Sequence, residues 1–148
     1  MVHSEGRIVV GVDGSPESLE AIRWSARQAE LTGCRLEAVI AWDFPTTSPF
    51  EFGGEGWNID WAENARTVLD AAVTRILDPG MATTSSVIQG HPAEVLVSAA
   101  AGAQLLVVGS RGHGGFAGML LGSVSDYVIA HATCPVTVIR HRPPAKEK

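Results

Sequence analysis

Cysteine is nearly absent: Cys34 and Cys134 are the only two, and neither stands in a CxxC or CxxH spacing. That argues against a disulfide framework and a cysteine-ligated metal, and leaves both as small core residues. Positive charge is also in short supply, 11 Lys and Arg against 16 Asp and Glu for a formal charge of −5. The basic residues are scattered, so no patch exists to follow a nucleic-acid backbone. No apolar run approaches the roughly 18 residues of a bilayer-spanning helix. Met1 to Gly6 lacks the basic and apolar regions of a signal peptide, so the expectation is a cytoplasmic chain without membrane or nucleic-acid partners. Familiar catalytic signatures are missing: no GxSxG, HExxH, HRDxxxxN or GxxxxGK[ST], and no GxGxxG after the first strand. What is there, 148 residues of which 45% are apolar, suffices to bury the core of one domain, with its core at about residues 7–140 and a charged, proline-bearing tail at 141–148.

Strand and helix signals alternate. Arg7 to Val12 is a β-branched run too continuous for one exposed face, and Asp13-Gly14 ends it. Ser15 then offers an N-cap, Pro16 a first turn and Glu17 a dipole complement, for a helix whose apolar stripe runs to Gly33. A second apolar run spans Leu36 to Trp42, followed by an aromatic, Pro- and Gly-rich loop from Asp43 to Gly56. From Trp57 a helical stripe resumes until Asp78-Pro79-Gly80 stops it. Thr83 to Gln89 reads as a third strand, Gly90-His91-Pro92 opens a helix to about Ala101, and Leu105 to Gly109 is the fourth strand. Ser123 caps a last helix, and Pro135 to Arg140 forms the last strand. Strands without a polar face, alternating with helices, predict a doubly wound parallel α/β sheet covered on both sides.

In such sheets ligands settle beyond the carboxyl ends of strands, where strand order reverses. The candidate stretches are Val12-Asp13-Gly14-Ser15, Ala41-Trp42-Asp43 and Gly109 to Ser123. The last is the most informative. Gly109 and Gly112, free to adopt positive φ, predict an anion nest, and Gly122-Ser123 open a helix whose unpaired amides carry partial positive charge. Together they suit a phosphate chain held by main-chain donors. Arg111 and His113 are the charged or titratable groups in that loop. His91 reads as a turn histidine, and Trp24, Trp42, Trp57 and Trp61 as packing residues, with Trp42 and Trp57 also able to stack on a base.

The pattern Gly109-x2-Gly112-x9-Gly122-Ser123 stands together with Val12-Asp13-Gly14-Ser15, Gly90-His91-Pro92-Ala93-Glu94 and Cys134-Pro135-Val136-Thr137-Val138. Four segments in this order and spacing resemble the universal stress protein family, in its ATP-binding branch, over Arg7 to Arg140. The resemblance implies a five-stranded sheet of order 3-2-1-4-5 and a homodimer paired through the last strand, Pro135 to Arg140. It implies Asp13 at the ribose or a magnesium ion, the Ala41 backbone at adenine, and Gly109, Gly112 and Gly122 admitting the phosphates. Ser123 and Val124 then bond phosphate or ribose oxygens, and Ser110, Arg111 and His113 form the rim. A stress-response regulator with ATP bound and little or no turnover is the leading expectation. The alternatives are a slow Mg-dependent ATPase with Asp13 on the metal, a cyclic AMP-binding module, and a nucleotide-free dimeric adaptor.

Overall fold

The computed structural model describes residues 6–44, 60–112 and 121–140, as nine elements. They are β1 (Arg7–Gly11), α1 (Pro16–Thr32), β2 (Arg35–Trp42), α2 (Trp61–Ile76), β3 (Thr83–Gln89), α3 (Pro92–Ala99), β4 (Leu105–Gly109), α4 (Ser123–His131) and β5 (Val136–Ile139). The five strands form one sheet of order β3-β2-β1-β4-β5, every neighbouring pair parallel. The expected doubly wound topology is therefore present.

The pleat explains why the strands look uniformly apolar. Along β1, Ile8 and Val10 face one core while Val9 faces another, because successive side chains point to opposite faces. Ile8 and Val10, with Leu36, Ala38, Ile40 and Val107, pack under Ile22 and Ala29 of α1 and Leu69 and Ala72 of α2. Val9, Val39, Leu106 and Val108 pack under Val95 and Leu96 of α3 and Val128 of α4. Both faces are buried, so no strand in the middle of the sheet can show polar alternation. The edges differ: β3 opens Thr83-Thr84-Ser85-Ser86, whereas β5 reads Val-Thr-Val-Ile, each residue half-buried.

Most helix ends follow the local sequence. The Ser15 hydroxyl accepts from the Ser18 amide at 3.3 Å, Pro16 takes the first turn, and Gly33 closes α1 in the left-handed region at φ 73°. Helix α2 starts four residues later than its apolar stripe suggests, because the Asp60 carboxylate caps it by accepting from the Glu63 amide at 2.9 Å. Trp57 and the rest of the expected loop beyond Phe44 lie outside the described residues. Helix α3 ends at Ala99, where the chain turns and Ala103 donates to the Ala100 carbonyl at 2.9 Å. Strand β5 is shorter than Pro135 to Arg140. Pro135 has no N–H for the ladder and contributes only its carbonyl, which accepts from Leu106 at 2.9 Å.

At the amino end of the sheet the Arg7 guanidinium donates to the Ala99 and Ala101 carbonyls at 2.7 and 2.6 Å and pairs with Glu37 at 3.2 Å. It ties β1, β2 and the carboxyl end of α3 together, satisfying carbonyls the helix itself leaves open. No helix among the described residues is long and apolar enough to cross a membrane.

Candidate functional site

Chain order reverses between β1 and β4, since β1 leads to β2 on one side while β3 crosses over to β4 on the other. Beyond the carboxyl ends of these two strands lies a cleft of about 490 Å³, a size that accommodates a nucleotide. Its walls come from the β1–α1 turn (Val12, Asp13, Ser15, Ser18), the β4–α4 connection (Gly109, Arg111, Gly112) and the start of α4 (Gly122, Ser123, Val124, Ser125). Val39, Pro92, Leu96 and Val108 supply an apolar side.

The β1–α1 turn is rigid by its own chemistry. Asp13 Oδ1 accepts from the Ser15 amide at 2.8 Å, a short-range turn that this residue type favours, and Gly14 takes φ 82°. The Ser18 hydroxyl donates to the Ser15 carbonyl at 3.0 Å and accepts from the Asp13 amide at 3.4 Å. Asp13 is itself exposed, so its carboxylate stands at the cleft while its backbone is locked.

Across the cleft, α4 begins without a side-chain cap. Gly122 is the N-cap, correcting the expectation that Ser123 plays that part: Ser123 is the first helical residue and no side chain accepts from the opening amides. The N–H groups of Ser123, Val124 and Ser125 therefore have no partner in the helix ladder, and they carry the positive end of its dipole. The Gly122 amide donates to the Ser110 carbonyl at 2.6 Å, and the Ser125 hydroxyl donates to the carbonyls of Gly109 at 2.5 Å and Ser110 at 3.2 Å. These bonds fix the end of β4 against α4.

The motif glycines serve another purpose than expected. None of Gly109, Gly112 and Gly122 has positive φ; Gly14, Gly33, Gly80, Gly90 and Gly102 do. A Cβ has no room at Gly109, would displace the Asp13 carboxylate at Gly112, and is tight but tolerable at Gly122. On Gly109 it stands 2.7 Å from Glu17 Cβ, on Gly112 it meets Asp13 Oδ2, and on Gly122 it comes 3.3 Å from Arg111 Cα. The predicted nest is also narrower, because the Ser110 amide is engaged by the Ile139 carbonyl at 2.7 Å. Main-chain donors for an anion come from the α4 start rather than from Ser110.

Arg111 lines the cleft, one-third exposed, and its Nη2 lies 3.6 Å from Glu17 Oε1. Glu17 is buried in the first turn of α1. Asp13, Ser15, Gly109, Arg111, Gly112, Gly122, Ser123 and Val124 are thus brought together, while Gly14, Ser110 and Ala41 do not line the cleft. Val39, two residues before Ala41 and on the same face of β2, takes the wall position. His113 lies outside the described residues. His91 caps α3, its Nδ1 accepting from the Ala93 amide at 3.3 Å. Ser18, Leu96 and Ser125, which also line the cleft, were not anticipated; the i, i+3 relation to Ser15 and the i, i+2 relation to Ser123 are the sequence signals for the two serines, and Leu96 has none. Among the described residues no group of three or more His, Cys, Asp or Glu is placed to hold a metal. A lone Asp13 fits a magnesium ion only where a ligand's phosphates complete the shell, which is how that ion is commonly held.

A doubly wound parallel sheet with an uncapped helix start facing a cleft at its switch point defines an α/β protein of the class that receives ligands in that crevice. Residues 6–140 match the universal stress protein family, and the chain belongs to it. It is 38% identical over 138 residues to a universal stress protein of Mycobacterium tuberculosis, covering 90% of this chain and 44% of that protein. The chain thus spans about half the length, or less, of the curated relatives it matches. Among solved structures it is similar to UspA of Lactobacillus plantarum, with a TM-score of 0.77 at 20% identity over 94% of this chain and 100% of that one. It is also similar to a universal stress protein in complex with cAMP, with a TM-score of 0.58 at 29% identity over 90% and 95% of the two chains.

Proposed function

We propose that this chain is an ATP-binding regulatory protein of the stress response that holds its nucleotide with little or no turnover. The observation that carries the reading is the uncapped start of α4, its three opening amides facing a cleft whose other walls are Asp13 and Arg111. In this reading the Ser123 and Val124 amides and the Ser123 hydroxyl hold phosphate oxygens. Gly109, Gly112 and Gly122 keep side chains out of their path, and Arg111 adds charge at the rim. Asp13 meets the ribose or, with the phosphates, a magnesium ion, which supplies charge neutralisation when bound. Adenine lies toward the end of β2, against Val39 and the backbone near Ala41, with the Val12-Asp13-Gly14-Ser15 turn below. Among the described residues lining the cleft there is no lysine and Asp13 is the single carboxylate, which supports binding rather than hydrolysis.

A handful of amide and hydroxyl bonds at about 1 kcal/mol each, set against the cost of association, puts the dissociation constant on the order of micromolar. Isothermal titration with Mg-ATP is expected to find it there. Absence of heat up to millimolar ligand refutes the reading, and displacement of ATP by equimolar cAMP reassigns the ligand to the cyclic nucleotide bound by the similar structure.

A homodimer through Pro135 to Arg140 belongs to the same proposal. Among the described residues strand β5 pairs on one side only, with β4, and its β-branched edge favours a partner strand. Light scattering at tens of micromolar is expected to return twice the 15.6 kDa of one chain, and a strictly monomeric mass removes edge pairing. A cytoplasmic setting is consistent with two cysteines that form no disulfide.

A further inference from the structure

Glu17 is the one acidic residue buried in the described chain that neither caps its helix nor faces the cleft. Its Cβ fills the space that Gly109 leaves open, which fixes the carboxylate behind the β4–α4 connection. From there it reaches Arg111 Nη2 at 3.6 Å, with 10% of its side chain exposed against 33% for the arginine. Arg111 in turn has its Cα against the α4 N-cap. A carboxylate so poorly hydrated needs a compensating cation, and breaking such a pair by removing one partner is strongly unfavourable. Arg111 is the cation that the structure sets beside this carboxylate.

We infer that Glu17 is a specificity-determining positioning residue: by holding and partly neutralising Arg111, it limits how strongly the cleft favours a phosphorylated nucleoside over the bare nucleoside. This rests on the ATP-binding reading. The pair presents the cleft with little net charge, so recognition of phosphate falls mainly to the helix-start amides. Removing the carboxylate's charge releases a full unit of positive charge at the rim, and the gain scales with the charge on the ligand. Adenosine, having no phosphate, does not sense it.

The test measures ATP and adenosine affinities, at one fixed magnesium concentration, for the native chain, Glu17→Gln, Glu17→Asp and Arg111→Ala. For Glu17→Gln the ATP-to-adenosine affinity ratio is expected to rise about fivefold, the scale of one unit charge acting across a partly hydrated wall. ATP binding should also weaken more steeply with added salt. Glu17→Asp, which keeps the charge, should hold the native ratio. Arg111→Ala, which leaves the carboxylate alone, should lower the ratio at least tenfold, and it decides between the outcomes if Glu17→Gln fails to fold. A ratio unchanged in Glu17→Gln, or adenosine affinity falling in parallel with that of ATP, overturns the inference, as does an unchanged ratio in Arg111→Ala. A native chain that binds ATP no better than adenosine sinks the ATP-binding reading itself, and this inference with it.

Discussion

Replacing Gly122 with glutamate is expected to weaken ATP binding by at least a hundredfold while leaving the melting temperature near that of the native chain. The backbone there, φ −77° and ψ 168°, is open to any residue, and a new Cβ comes no closer than 3.3 Å to Arg111 Cα. A carboxylate at the first turn favours the helix itself by about 0.3–1 kcal/mol. The same carboxylate takes the amides of Ser123 and Val124 and repels a phosphate. Two lost bonds at about 1 kcal/mol each and a like charge worth about another give the hundredfold, since tenfold is about 1.4 kcal/mol. Titration calorimetry alongside thermal unfolding separates the two effects. Native affinity in a folded variant removes the phosphate site from the start of α4.

Gly109→Val makes the opposite forecast. A Cβ at position 109 stands 2.7 Å from Glu17 Cβ and 3.1 Å from the Glu17 carbonyl carbon, and the latter is backbone that cannot rotate away. Forcing α1 off the end of β4 is expected to cost about 2–3 kcal/mol, the range of an overpacked core. For a chain of this length that lowers the melting point by roughly 5–10 °C, with no ligand present. Native thermal stability in this variant contradicts a packing role and returns Gly109 to the ligand.

These two glycines show where sequence reasoning succeeds and where it stops. The spacing of Gly109, Gly112 and Gly122 pointed to a connection that the structure places along the cleft, because glycine marks places where side chains are excluded. It did not reveal what excludes them. For Gly109 the neighbour is Glu17 in the first turn of α1, for Gly112 it is Asp13 on the β1–α1 connection, and both lie far away along the chain. Such long-range crowding leaves no local trace, so positive φ was the natural but incorrect expectation. Strands β3 and β4 were legible to the residue, since Thr83 to Gln89 and Leu105 to Gly109 are β-branched or apolar runs bounded by turn formers. The start of α2 was not, because the apolar stripe continues past the Asp60 cap that sets it. Strand order came with the family resemblance; the burial of Val9 on one face and Ile8 and Val10 on the other marks β1 only as a strand covered on both sides. Ser125 was missed because a serine inside a helix looks like a surface residue; its value is to receive the loop, donating to two carbonyls at the end of β4.

The two rims of the sheet are unlike. A hydroxyl-rich margin at Thr83 to Ser86 and a β-branched one at Val136 to Ile139 cannot serve as copies of each other. In the dimer proposed through the second margin, a two-fold axis closes the assembly after a single addition and leaves the hydroxyl-rich margins outermost.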